Sequence, residues 1–131
     1  MDCSRTGRIM PTVLLVDDDD VFRKKLRALF DLGSGFDPCV EARSGVEALE
    51  KTKRPSSNLA VLDFSLPDMS GLQLAEELKA IMPELPIFLL TTEYSVKLEK
   101  KALSCGIIAV FSKLDDLTTL VANARAVCRI E

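Results

Sequence analysis

The chain has 131 residues, 47% hydrophobic and 28% charged, a balance that suits one soluble domain with one sizeable core. A net charge of −3, from 17 Lys and Arg against 20 Asp and Glu, weighs against nucleic acid as a main partner, because binding phosphate backbones takes a basic surplus. There is no histidine, which removes Ser-His-Asp and Cys-His catalysis and histidine-ligated metals from the chain itself.

No apolar run approaches the ~20 residues of a membrane span. The opening, MDCSRTGRIM, lacks the apolar stretch of a signal peptide. Met10-Pro11 reads as a second start, so residues 1–10 are expected to be a loose leader and residues 11–131 a single domain. Cys3, Cys39, Cys105 and Cys128 are scattered, with no C-x-x-C pair to suggest a metal or redox motif. Cys39 and Cys105, in or beside apolar runs, are expected to be small buried thiols. Reduced thiols and no export signal suggest the cytoplasm.

Pro-Thr-Val-Leu-Leu-Val, ending at Val16, is a short apolar run expected of a strand covered on both faces. Asp17 to Asp20 follow, and Phe22, Leu26, Leu29 and Phe30 then recur on one face of a helix that Gly33 and Gly35 end. Phe36 to Ala42 reads as a second strand, placed at an edge by Pro38, which cannot donate to a ladder. Ser44 with Glu47 is a capping box for a helix running to about residue 53. After the turn Pro55-Ser56-Ser57-Asn58, Leu59 to Leu62 is a third strand stopping on Asp63. Ser70 with Gln73 is a second capping box, opening a helix with Leu74, Leu78, Ile81 and Met82 inward. Ile87 to Leu90 is a fourth strand stopping on Thr91, and Tyr94 to Ser104 a weakly amphipathic helix with Lys97, Lys100 and Lys101 outward. Ile107 to Phe111 is a fifth strand ending near Lys113, and Leu117, Leu120, Val121, Ala124 and Cys128 face inward on a last helix.

Strand and helix alternate five times, which means a parallel sheet with helices on both faces. In such a sheet the residues just after the strands share one edge, and ligands bind there. Those residues are Asp17 and Asp18, Asp63, Thr91 and Lys113. If the strand order is 2-1-3-4-5, the order reverses between strands one and three, and Asp17, Asp18 and Asp63 flank that point. Clustered carboxylates repel, by about 4 kcal/mol per pair at ~4 Å and an effective dielectric of 20, so a cation is needed. Oxygen donors without His or Cys suit Mg²⁺ or Mn²⁺. With the Lys113 ammonium and the Thr91 hydroxyl, they make a site for a transferring phosphoryl group, for which a carboxylate is an accepted nucleophile.

VLLVDDDD, LAVLDFSLPDMSG, PIFLLTTE and GIIAVFSK, in this order and each at a strand end, resemble the receiver domain of bacterial two-component response regulators. The match covers nearly all of the chain from Pro11 onward. The resemblance implies a three-layer, flavodoxin-like (βα)5 fold and supplies the strand order, which the residues alone do not. It implies that Asp63 accepts a phosphoryl group from the phosphohistidine of a sensor histidine kinase or histidine phosphotransfer protein, and that the module is not otherwise an enzyme. It implies metal ligation by Asp17, largely through water, by Asp18 and Asp63, and by the backbone carbonyl of Ser65, with Thr91 and Lys113 on the phosphoryl oxygens. Its output would be a protein target, or an output domain beyond this chain, met through the face of helix four, strand five and helix five; a homodimer is a further option.

Three positions depart from the family pattern. Leu114 follows Lys113 where proline is usual, removing the usual reason for a cis bond there. Thr92 replaces a small residue and narrows access to Asp63. Val110 stands where an aromatic switch residue is usual, with Phe111 displaced by one, so switching is expected to rely on backbone and helix-four movement. Two other readings stay open. One is a pseudo-receiver that binds partners without phosphorylation. The other is a haloacid-dehalogenase-type phosphatase, because Asp17-x-Asp19-x-Val21 fits that family's first motif. Asp19 and Asp20 are expected to cap the first helix.

Overall fold

A computed structural model describes residues 10–32, 35–37, 39–52 and 57–130. Most of the leader, Cys3, Gly33, Pro38, Lys53 and the Pro55-Ser56 turn lie outside the described residues. The elements in chain order are β1 (Val13–Val16), α1 (Asp20–Asp31), β2 (Val40–Ala42), α2 (Gly45–Lys51), β3 (Leu59–Asp63), α3 (Gly71–Ile81), β4 (Ile87–Thr91), α4 (Val96–Ser104), β5 (Ala109–Ser112) and α5 (Leu117–Val127). The strands form one parallel sheet in the order β2-β1-β3-β4-β5, the expected doubly wound α/β architecture.

Period-two alternation divides the core between the two faces of the sheet. Leu14, Val16, Ala60, Leu62, Ile87 and Leu89 pack against Ala48 of α2, Leu74 and Leu78 of α3 and Ala102 of α4. Val13, Leu15, Val61, Phe88 and Leu90 pack against Leu26 and Phe30 of α1 and Leu120 and Ala124 of α5. Each of the Val, Leu, Ile and Phe side chains contributes about 1.5–3 kcal/mol by leaving water. This is why β1, β3 and β4 read as unbroken apolar runs.

The helix starts follow local chemistry. Asp19 caps α1, its carboxylate accepting from the N–H groups of Val21 and Phe22. Ser44 and Ser70 cap α2 and α3 as expected, each accepting from the N–H three residues on. Neither capping box closes in full. Glu47 accepts from Arg43 N rather than from the cap residue, and Gln73 donates to Glu77, an i+4 partner on the exposed face.

Several expected boundaries move. β2 is three residues long, because Phe36 turns into the core and meets the Phe30 ring edge-on at 5.0 Å instead of joining the ladder. β5 starts at Ala109, two residues later than expected. α4 starts at Val96, because Ser95 offers a cap that Tyr94 does not. Ile81 is 57% exposed, since the inward stripe of α3 is Leu74, Ala75 and Leu78 and the helix ends before another turn reaches the sheet. Cys39 is buried, but Cys105 and Cys128 terminate helices and are half-buried. Among the described residues no helix is long and apolar enough to cross a membrane.

Candidate functional site

The ladder register builds the site. Val16 pairs with Leu62, so the next residues, Asp17 and Asp63, emerge side by side from β1 and β3. Thr91 ends β4 and pairs with Ser112, which places Lys113 just beyond β5 on the same edge. Asp17, Asp18 and Asp63 each present a carboxylate oxygen, all within 4.8 Å of one another. The Lys113 ammonium lies 2.6 Å from Asp17 Oδ2 and 3.4 Å from Asp63 Oδ2. It also sits 4.5 Å from the centre of the Phe22 ring on α1, a cation–π contact that fixes its approach.

Asp17 is 3% exposed and Asp63 6%, whereas Asp18 is open to solvent. Burial, and then the Asp17 carboxylate, push the Asp63 carboxyl up to about 6 against the opposing pull of Lys113. Burial disfavours the Lys113 charge, but Asp17 and Asp63 outweigh it and hold its pKa above the ordinary lysine value. Asp17 Oδ2 is buried against the Lys113 ammonium at 2.6 Å, with no further hydrogen-bond donor among the described residues. Asp17 Oδ1 accepts from Asp19 N at 2.9 Å. Three carboxylates offering oxygen donors within 4.8 Å of one another, without His or Cys, fit a hard divalent cation such as Mg²⁺.

Asp63 opens into a cavity of about 260 Å³ lined by Phe64, Ser65, Thr91, Thr92 and Glu93. Thr91 is buried and its hydroxyl accepts from Glu93 N at 3.0 Å, which orders the segment before α4. Ser65 N donates weakly to Asp63 Oδ1 at 3.4 Å, and Ser65 pairs with Ser70 across the loop after β3. Asp68 in that loop accepts from the N–H groups of Gly45 and Val46, tying the loop to the start of α2. Gly71 is required here: a Cβ would lie 2.4 Å from the Asp63 carbonyl oxygen.

A family model for the response regulator receiver domain matches residues 13–125. The chain belongs to the response regulator receiver family. The response regulator MprA of Mycobacterium leprae is 36% identical over 118 residues, covering 89% of this chain and 50% of that protein. The transcriptional activator protein ExaE of Pseudomonas putida is 33% identical over 101 residues, covering 77% of this chain and 47% of the relative. The chain spans about half the length of these curated relatives. In fold it matches a CheY-like receiver domain from Methanospirillum hungatei with TM-score 0.84 and 24% identity, over 92% of this chain and 95% of the other. A LuxR-family response regulator from Aurantimonas gives TM-score 0.85 at 22% identity, over 92% of this chain and 86% of the other.

This receiver holds all the residues expected at the sheet edge, together with groups that periodicity does not reveal. Arg23 is 6% exposed although it stands in an apolar helix face. Its guanidinium donates to Glu41 on β2, to Asp20 and to the carbonyl of Asp17. The signal was its spacing: positions 23, 26 and 30 share the inward face, so a charge at 23 had to find buried partners. Phe111 lies on the α1 and α5 face, 5.1 Å from the Phe88 ring, while Val110 packs on the opposite face with α4. The displaced aromatic therefore does not stand in for the missing one.

Proposed function

We propose that the chain is a phosphoacceptor module in which Asp63 receives a phosphoryl group from a phosphohistidine on a sensor histidine kinase or histidine phosphotransfer protein. The observation that carries this reading is the cluster of Asp17, Asp18 and Asp63 with the Lys113 ammonium between two of them. An Asp63 oxygen attacks phosphorus, the phosphorus–nitrogen bond to the donor breaks, and the nitrogen keeps the electron pair. Asp18 and Asp63, with Asp17 largely through water and the Ser65 carbonyl, would hold Mg²⁺ or Mn²⁺. Such an ion would neutralise charge on the transferring group and on the carboxylates. Lys113 and the Thr91 hydroxyl bind the phosphoryl oxygens. The raised pKa of Asp63 describes the metal-free site; a bound cation favours the ionised nucleophile.

The new charge at Asp63 biases the β4–α4 segment and the face formed by α4, β5 and α5 toward a partner-binding state. The module spans residues 11–131, works in the cytoplasm and catalyses only its own phosphorylation and dephosphorylation. Its partner is a protein target or an output domain. The phosphatase reading is disfavoured, because Asp19, the second acidic residue of its motif, commits its carboxylate to capping α1.

The test is intact mass after incubation with acetyl phosphate and Mg²⁺. Wild type is expected to gain one phosphoryl group and Asp63→Asn none. An unmodified wild type, or an unchanged gain in the variant, overturns the reading.

A further inference from the structure

Asp17 is held on both sides of its backbone. Its N–H donates to the Ala42 carbonyl on β2 at 3.0 Å. Its own carbonyl accepts from Arg23 Nη1 at 2.7 Å. The other two edges of the same guanidinium are also satisfied, Nε by Glu41 Oε1 and Nη2 by Asp20 Oδ1, each at 2.7 Å. Arg23 is thus a buried three-way connector between α1, β2 and the end of β1.

We propose that Arg23 is a positioning residue for the carboxylates of Asp17 and Asp18, fixing the peptide between them so that both side chains face a divalent cation. The proposal rests on the metal-binding reading of the site. The carbonyl of Asp17 is the acceptor half of that peptide, so a bond to it restricts its rotation. Charge balance allows this without weakening the site's pull on a cation. Arg23 and Arg27 face Glu41, and Arg23 and Arg43 face Asp20, so the guanidinium charge is answered locally. Its third bond falls on a neutral carbonyl. Lysine cannot replace it, because an ammonium lacks the planar fork that reaches three acceptors in fixed directions.

Arg27 is the internal control. It shares Glu41 with Arg23 but bonds to Asp31 rather than to Asp17. Mg²⁺ affinity is measured by isothermal titration calorimetry on the whole chain, beside urea unfolding of each variant. Arg23→Lys is expected to weaken Mg²⁺ binding by about tenfold or more, the usual effect of losing a group that orients a metal ligand. Arg27→Lys is expected to lower the urea midpoint and leave the Mg²⁺ affinity at the wild-type value. Arg23→Lys with wild-type affinity overturns the proposal, as does an equal loss in Arg27→Lys. Should Arg23→Lys not fold, Glu41→Gln loosens the Nε anchor and is expected to weaken Mg²⁺ binding in the same direction; no change there overturns the proposal. A wild type that binds no Mg²⁺ overturns the reading of the site itself, an outcome distinct from an unaffected Arg23 variant.

Discussion

Removing the Asp63 carboxylate is expected to make the metal-free protein more stable at neutral pH. The native pKa of about 6 stands about two units above the ordinary 3.8, because burial and the Asp17 carboxylate disfavour the charged form. Each unit corresponds to about 1.4 kcal/mol, so ionising Asp63 at pH 7 costs the folded state up to about 3 kcal/mol. Relaxation and solvent in the adjoining cavity reduce this to about 1–3 kcal/mol. The sign follows from the raised native pKa. Stability is fully present below the unfolded value and is lost as pH rises through the native one. Asp63→Asn stays neutral throughout. It is therefore expected to match wild type near pH 4 and to exceed it by about 1–3 kcal/mol near pH 7. Urea unfolding followed by far-ultraviolet circular dichroism, in EDTA at several pH values, measures the gap. Saturating Mg²⁺ narrows it, because a ligand at 100 times its Kd stabilises the native state by about 2.7 kcal/mol. Equal stabilities at pH 7 in EDTA, or a gain independent of pH, refute the electrostatic argument.

Lys113→Met leaves two buried carboxylates without their counter-charge and is expected to cost about 3–5 kcal/mol without metal, part of it recovered with Mg²⁺ in the same urea assay. Gly71→Ala drives a methyl against the Asp63 carbonyl. It is expected to cost about 1–3 kcal/mol and to slow acetyl phosphate labelling, followed by mass spectrometry over time. Phe30→Ala, in the core under α1, is expected to cost about 3–5 kcal/mol in thermal or urea unfolding. Labelling at Asp63 persists in that variant at temperatures where it stays folded.

The elements that were legible in the sequence are those whose signals are local. β1, β3 and β4 are buried on both faces, so their composition alone declares them, and in a parallel sheet their ends must share an edge. That places Asp17, Asp63 and Thr91 together on the sequence alone. The strand order was not legible from the residues and came from the family pattern. β2 was overextended because Phe36 looks the same in sequence whether it joins a ladder or plugs the core beside Phe30. Ile81 was placed inward because periodicity does not say where a helix leaves the sheet. For Arg23 the spacing with Leu26 and Phe30 signals an inward charge, but its partners are not legible, because Glu41 lies 18 residues away. The link between Asp68 and α2 is not legible for the same reason, across 23 and 22 residues to Gly45 and Val46.

Thr91 carries two bonds that belong to different elements. Its carbonyl accepts from Lys113 N at 2.8 Å, at the end of β5, and its hydroxyl accepts from Glu93 N on the way into α4. With Val110 in place of an aromatic lever, this residue acts as a hinge pin shared by two leaves. A displacement of Thr91 would strain both bonds, so the two segments are tied to one residue. Under the proposed switching, a partner on α4 and one on the β5–α5 turn would read one signal, and substitutions that mute it for one would mute it for the other.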